Sequence, residues 1–218
     1  MNAPSRVYDL TASLEDEMPV WPGSPPPRFL PVGSFERDGV VSEHLNCNSH
    51  TGTHLDAPRH FLAGGRSVDG IPPERLVGPA LLLDLRRNLP GTLIEPDLLE
   101  RHWPERLHPS IVLLETGWSH KRAPTPEYLY QFPGLSPESA RWLVGKRITG
   151  IGTDTLSIDP YANKAFEAHK VLLGSDVWIL EALDRLDQLR EGRLYQLVAA
   201  PLRLAGGSGA MARVFALE

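Results

Sequence analysis

Short apolar runs, separated by proline and glycine, limit what this chain can fold into. Branched side chains are common in five of these runs, which lie at 80–85, 110–116, 148–154, 194–200 and 212–217. Their length and branching favour buried β-strands over helices. Clusters such as "WPGSPPP" at 21–27 and "AGGSG" at 205–209 predict loops, because proline cannot donate to a β-ladder and glycine tolerates positive φ. The sequence therefore predicts a sheet built from short strands.

Helices are predicted in three segments, which lie at 95–103, 136–145 and 163–174. The middle segment begins with Ser136 and Pro137 and ends at Gly145, and these are typical residues of helix boundaries. Strands that alternate with helices, with further strands towards both ends, predict a mixed α/β fold. A length of 218 residues favours one domain over residues 1–218.

Composition and charge argue against several kinds of partner. The formal net charge is −5 and the 22 lysine and arginine residues are scattered, so we expect no nucleic-acid partner. No apolar run approaches the roughly 20 residues that span a bilayer. The segment "MNAPSRVYDL" lacks the apolar core of a signal peptide, so we expect a cytoplasmic protein without a membrane partner. Cys47 is the single cysteine, which leaves nitrogen and oxygen as the ligands of any bound metal.

Three histidines and an aspartate lie within eleven residues, at His50, His54, Asp56 and His60. Their even spacing would place all four side chains on one face of a strand. At roughly 3.3 Å per residue, however, a straight strand would hold His50 and His54 about 13 Å apart, the limit for two imidazoles around one ion. We therefore expect the chain to bend at Gly52, where glycine permits the turn without steric cost.

A catalytic metal centre is the interpretation that this cluster favours. Two imidazoles and one carboxylate suit zinc, manganese or iron and leave coordination positions open for water. Structural sites usually close the shell with four protein ligands and favour cysteine. Three alternatives remain open: histidines without a metal, a protein that stores or senses an ion, and catalysis by the Cys47 thiol, which lies three residues before His50.

The stretch "HTGTHLDAPRHF" at 50–61 resembles the signature of the cyclase family of metal hydrolases, H-x-G-[TA]-H-x-D-x-P-x-H. Further segments resemble the family in the same order, and these are "MPVWPGSPP" at 18–26, "GIGTDTLSID" at 150–159 and "AHKVLLGSDVWILEAL" at 168–183. The resemblance thus extends over most of the chain. It implies a mixed β-sheet with helices in the family's swivelling β/β/α arrangement, and a homodimer or higher homo-oligomer.

The resemblance also implies the ligands of two divalent metal ions. His50 and His54 would bind the first ion, and Asp56 would bridge it to the second. His169 and Glu181 would complete the second site, with Glu181 able to reach both ions. Zinc is the expected metal and manganese is the alternative, because imidazole and carboxylate ligands accept both.

Two further residues take roles from the same resemblance. His60 matches the family's proton donor and acceptor, a role that suits an imidazole with a pKa of about 6.5, while the alternative is a further metal ligand. Trp21 matches the aromatic residue that kynurenine formamidases of the family place against their substrate. The alternative for Trp21 is a tryptophan that packs a proline-rich loop.

The activity implied is hydrolysis of a small-molecule amide. The expected substrate is N-formyl-L-kynurenine, which would give L-kynurenine and formate in tryptophan degradation. Isatin or another cyclic amide or lactone is the alternative, because Thr53 and Leu55 stand where we expect two alanines in formamidases. Glu181 favours a formamidase, since we expect glutamine there in isatin hydrolases.

Overall fold

A mixed sheet of eight strands forms the centre of the protein, which is represented by a computed structural model describing residues 4–87, 89 and 92–218. The strands of the described chain are β1 (Val7–Asp9), β2 (Arg28–Gly33), β3 (Ser42–Asn46), β4 (His54–Asp56), β5 (Val77–Asp84), β6 (Leu93–Ile94), β7 (Ile111–Glu115), β8 (Gly134–Leu135), β9 (Gly150–Thr153), β10 (Trp178–Glu181), β11 (Leu194–Pro201) and β12 (Gly209–Leu217).

Five α-helices lie in the described ranges. They are α1 (Phe35–Asp38), α2 (Pro96–His102), α3 (Pro126–Tyr130), α4 (Pro137–Gly145) and α5 (Glu167–Gly174). Short 3-10 helices occupy Pro58–His60, Val68–Gly70, Pro73–Arg75, Trp118–Lys121 and Leu186–Gln188. Within these ranges no helix is both long enough and apolar enough to cross a membrane.

The main sheet curls into a barrel. Its strands follow the order β1-β12-β11-β5-β7-β9-β10-β4, and β4 also pairs with the beginning of β12. Seven strands thereby form a closed ring, while β1 pairs with the other end of β12. Strands β5, β7, β9 and β10 run parallel, and the remaining pairings of the sheet are antiparallel. This architecture confirms the predicted mixed α/β sheet.

Alternate residues of the barrel strands enter two hydrophobic cores, as the two-residue period of a strand requires. Leu82 of β5 belongs to the inner core together with Leu55 and Leu180. Leu81 and Leu83 belong to an outer core that also contains buried residues of α2, α4 and α5. Because β5 is apolar on both faces, it is buried between the barrel interior and the helices.

The predicted elements are present, with several boundaries shifted by up to four residues. The five predicted strands correspond to β5, β7, β9, β11 and β12, and the three predicted helices to α2, α4 and α5. Ser136 caps α4 by accepting a hydrogen bond from the Ser139 backbone N–H at 3.1 Å. Helix α5 begins only at Glu167, because Asn163 accepts a turn hydrogen bond from Ala165 and Phe166 takes a left-handed conformation.

The pairing of β4 with β10 places polar residues on the outside of the barrel. Its antiparallel register sets His54 opposite Glu181. Leu55 and Leu180 point into the inner core, so their neighbours His54, Asp56 and Glu181 point out of it. Residues from two distant parts of the chain thus meet on one outer face of the sheet.

Gly150 is expected to be essential for the packing of β9 on β10. A Cβ at this position would lie 2.2 Å from Cζ2 of Trp178, a buried side chain whose indole N–H donates to the Arg75 carbonyl. We predict that Gly150→Ala lowers the free energy of unfolding by about 1–3 kcal/mol or more through overpacking. Urea denaturation would measure the change. Gly174→Ala in α5 is the control, because a Cβ there has no neighbour within 4 Å; equal losses for both variants would contradict the prediction.

Candidate metal centre

The loop before β4 bends and brings His50 to the outer face of the sheet. Gly52 has a φ of 62°, which confirms the predicted bend. The Asn48 side-chain oxygen accepts a hydrogen bond from the His50 backbone N–H at 3.0 Å. The buried Thr53 hydroxyl donates to the Ala182 carbonyl at 2.7 Å and ties the end of the loop to the residue after β10. Local hydrogen bonds therefore fix both ends of the bend.

His54, Asp56 and Glu181 form one compact group with His50. Nε2 of His54 lies 3.3 Å from Oδ1 of Asp56 and 3.5 Å from Oε2 of Glu181. Nδ1 of His50 lies 2.6 Å from the same Oδ1. His54, Asp56 and Glu181 are buried, whereas His50 keeps part of its ring exposed. The group therefore faces solvent through His50.

A second group uses the other oxygens of the same two carboxylates. Nε2 of His169, on α5, lies 3.4 Å from Oδ2 of Asp56 and 3.1 Å from Oε1 of Glu181. Asp56 and Glu181 thus each turn one oxygen towards His54 and the other towards His169. The five residues predicted as metal ligands are all brought together, in two adjacent groups with shared carboxylates.

The spacing of the donor atoms fits transition-metal ions. Zinc bonds to imidazole and carboxylate measure about 2.0–2.2 Å, so two ligand atoms of a tetrahedral site stand roughly 3.3–3.6 Å apart. The imidazole–carboxylate distances of His54 and His169, at 3.1–3.5 Å, are close to this range, whereas Nδ1 of His50 lies at hydrogen-bonding distance, 2.6 Å, from Oδ1 of Asp56. The buried Oδ2 of Asp56 accepts no hydrogen bond, and a cation would satisfy it. The side chains present therefore fit metal ions.

Close contacts between imidazoles and carboxylates balance the charges of the metal-ligand candidates. Burial lowers the pKa of His54, but hydrogen bonds to Asp56 and Glu181 outweigh burial and raise that pKa to about 10. Burial likewise opposes ionisation of Asp56, yet the close imidazoles of His169, His50 and His54 hold its pKa well below the usual range. Protons and metal cations would therefore compete for the same imidazole nitrogens.

Asp159 belongs to the centre although the sequence assigns it no role. It is fully buried, and its Oδ2 lies 2.7 Å from Nδ1 of His169 and accepts the His169 backbone N–H at 2.9 Å. The Gly52 carbonyl oxygen lies 2.8 Å from Nδ1 of His54. Both contacts turn Nε2 of the imidazole towards the shared carboxylates, as partners of metal-binding histidines commonly do. Asp159 ends the segment 150–159 that resembles the family, and this is the available sequence signal.

His60 lies beside the first group. Its ring stacks on the ring of His50, with the centroids 4.0 Å apart and the planes at 24°. The centroid of the His169 ring is 6.1 Å away. A ring nitrogen of His60 lies within 4.8 Å of donor atoms of His50 and Asp56. This position is compatible with both roles considered for His60, proton transfer and metal binding.

A cavity of about 240 Å³ opens onto both groups. Trp21, Phe61 and Phe166 line its apolar side, and His60 and Glu181 line its polar side. Since a cavity of roughly 150 Å³ accommodates benzene, this one is large enough for a substituted aromatic ring. The Trp21 ring lies 5.7 Å from the Phe166 ring, so Trp21 both packs its loop and borders the cavity.

Relatives with known names cover nearly the whole chain. The model of the Cyclase family matches residues 8–160. A kynurenine formamidase from Bordetella petrii is 32% identical over 214 residues, which cover 98% of this chain and 98% of that protein. A kynurenine formamidase from Erythrobacter litoralis is 29% identical over 214 residues, 98% of this chain and 94% of that protein.

Solved structures with the same fold have sequence identities similar to those of the two formamidases. Isatin hydrolase A from Labrenzia aggregata has a TM-score of 0.85 and 30% identity, covering 97% of this chain and 93% of its own. A predicted metal-dependent hydrolase from Bacillus stearothermophilus has a TM-score of 0.80 and 34% identity, covering 97% of this chain and 98% of its own. These relatives confirm the predicted fold and the predicted class of enzyme, a metal-dependent hydrolase. The chain belongs to the cyclase family.

Proposed function

We propose that this protein hydrolyses N-formyl-L-kynurenine to L-kynurenine and formate in tryptophan degradation, with residues 1–218 acting as one domain. The observation that carries the proposal is the pair of carboxylates, Asp56 and Glu181, shared between the imidazoles of His54 and His169. Such sharing suits two metal ions about 3.5–4 Å apart, an arrangement that serves hydrolysis in other enzymes.

His50, His54, Asp56 and Glu181 would hold the first ion, and Asp56, His169 and Glu181 the second. Zinc is the expected metal and manganese the alternative, because the donors are nitrogen and oxygen. When bound, the ions lower the pKa of a water molecule and polarise the carbonyl that it attacks. The protein's part is to fix the donors, and the contacts of Asp159 with His169 and of Gly52 with His54 do this.

His60 is proposed as the residue that moves the proton. Its imidazole would accept a proton from the attacking water and return it to the departing amide nitrogen as the carbon–nitrogen bond breaks. The ring lies against His50 at the border of the cavity, and this position supports the proposed role. The products then carry all the atoms of the amide and of one water molecule.

Trp21 and Phe166 are proposed to hold the aryl ring of the substrate. Both border the cavity, and their rings support each other at 5.7 Å. Isatin is a bicyclic aromatic amide, and isatin hydrolase A shares the fold, so hydrolysis of isatin or another cyclic amide or lactone is the second candidate.

Two other candidates receive less support. The Cys47 thiol lies 3.8 Å from the sulfur of Met211 and is not among the side chains that border the cavity, which argues against a thiol nucleophile. A protein that stores or senses metal would not need a cavity with aromatic walls beside its ions. The cytoplasmic location stays a prediction.

A homodimer is proposed because a two-stranded ribbon of the chain exposes apolar side chains to solvent. Strands β2 and β3, with α1 between them, pair only with each other among the described residues. Their exposed apolar side chains are Leu30, Val32, Phe35, Val40, Val41 and Leu45. An isolated ribbon is marginally stable in water. Leu45 also lines a groove with Leu202 and Met211, and we propose that a second copy covers both the ribbon and this groove.

Metal removal and His60→Ala test the proposed reaction. We expect the chelated protein to lose hydrolysis of N-formyl-L-kynurenine and to regain it with zinc or manganese. His60→Ala should lower kcat by about 10²–10⁴-fold without loss of bound metal, as a proton-transfer residue requires. Absorbance assays of formylkynurenine and isatin, together with metal analysis, give both readouts. His108→Ala, at an exposed histidine, is the control.

The outcomes separate the candidates. Turnover of isatin alone would contradict the proposed substrate and keep the metal mechanism. Loss of one ion in His60→Ala would show a ligand in place of a proton donor. Bound metal without turnover of any amide or lactone would support a storage or sensing protein.

Asp159→Asn tests how the second group is held. The amide introduced at position 159 can donate a hydrogen bond to Nδ1 of His169, which would favour the tautomer protonated on Nε2 and turn Nε2 into a donor. We predict a loss of metal affinity of roughly 10–100-fold, as for other partners of metal-binding histidines. Competition with a fluorescent chelator would measure it, and Asp97→Asn, at an exposed residue of α2, is the control. Unchanged affinity would mean that Asp159 serves only the backbone of α5.

Charged substitutions on the ribbon test the proposed dimer. The native protein is expected to show twice its chain mass of 24.1 kDa in light scattering. Phe35→Asp with Val41→Asp should give a folded monomer, because the apolar surface would carry two charges. Leu93→Asp, at an exposed residue outside the ribbon, should leave the mass unchanged. A native monomer, or a dimer that survives both charges, would contradict the proposal.

A further inference from the structure

A second set of metal-binding side chains lies at the end of β7. Glu115 is the last residue of that strand, His120 lies on the 3-10 helix Trp118–Lys121, and Asp187 lies on the 3-10 helix Leu186–Gln188. One donor atom from each lies within 4.8 Å of the others. We call these three residues the Glu115 cluster. Strands β9 and β10 lie between β7 and β4 in the sheet, so the cluster is separate from the centre described above.

The carboxylate of Glu115 is buried without hydrogen bonds. Its side chain is 2% exposed, and neither oxygen accepts a hydrogen bond. Oε1 lies 3.1 Å from Nη1 of Arg86, but the same guanidinium donates from Nε and Nη2 to Asp84 at 2.9 and 2.7 Å. Buried polar atoms normally find a partner, and a bound ion is one reason for an apparent exception.

Negative charge exceeds positive charge around Glu115. Burial and the carboxylates of Asp84, Asp154 and Asp187 outweigh the attraction of Arg86 and raise the pKa of Glu115 to about 8. Three neighbouring carboxyl groups thus oppose the ionisation of Glu115, and Arg86 favours it. A divalent cation would offset the excess and would favour the ionised form of Glu115.

We propose that the Glu115 cluster binds a divalent cation, separate from the ions of the catalytic centre. Two carboxylates and one imidazole suit zinc or manganese, with water in the remaining positions. His120 and Asp187 have side chains that are 56% and 36% exposed, and their donor atoms lie 3.8 Å apart, so an ion can enter from solvent. The ion would join the end of β7 to both 3-10 helices and would stabilise the folded state, because the unfolded chain lacks the site.

The proposed site is tested by comparing the number of metal ions bound by the native protein and by its variants. The full-length protein and its variants would be dialysed to equilibrium against zinc, and the bound metal counted per chain. Glu115→Gln and His120→Ala are each expected to bind one ion fewer than the native protein. Glu127→Gln, at an exposed carboxylate on α3, should bind the native number. Since the readout is a difference, it does not depend on how many ions the catalytic centre holds.

A crystal grown with zinc would locate the ion by anomalous scattering at the zinc absorption edge, with a peak expected between Glu115, His120 and Asp187. Native metal content in both variants, or no peak at the cluster, would overturn the proposal and leave Glu115 as a buried acid beside Arg86. If Glu115→Gln fails to fold, the metal content of His120→Ala tests the proposal, because the His120 side chain is largely exposed and its removal should not prevent folding. His54→Ala should reduce the metal of the catalytic centre and leave this peak, so failures of the two sites are distinguishable.

Discussion

Repulsion between two buried carboxylates is the constraint on which the centre depends. Asp56 and Glu181 both lose their hydration, and the charge of Asp56 opposes ionisation of Glu181. Isolated buried charges are costly, so each needs opposite charge close by. His54 and His169 lie on either side of the pair and contact both carboxylates. Cations that replace the imidazole protons would remove the repulsion and supply the chemistry of hydrolysis.

The barrel makes this arrangement rigid. Leu55 and Leu180 anchor β4 and β10 in the inner core. Their neighbours His54, Asp56 and Glu181 are therefore held on the outer face of the sheet. The third imidazole comes from α5, whose first turn is held by Asp159 through the backbone and side chain of His169. A packed core on one side of the strands thus fixes an unfavourable concentration of charge on the other.

Local features of this protein were predictable from sequence, and distant pairings were not. The bend at Gly52 follows from the spacing of four side chains and the freedom of glycine. Glu181 has no local pattern of its own, because its place depends on pairing with β4 in a register that sets it opposite His54. Asp159 contacts His169 only because α5 packs beside it in the folded chain. The uncovered ribbon of β2 and β3 also lacks a sequence signal, since its strands have no buried face.

The metal centre and the substrate cavity are built from different parts of the chain. The proposed ligands come from β4, its preceding loop, α5 and β10, whereas the aromatic walls come from Trp21, Phe61 and Phe166. Trp21 lies in a proline-rich loop, and Phe166 lies just before α5 in a left-handed conformation that costs energy in a bulky residue. Substitution of either wall residue would change the shape of the cavity without removing a ligand. Changes in the walls would therefore alter the choice of substrate while the proposed ligands stay in place.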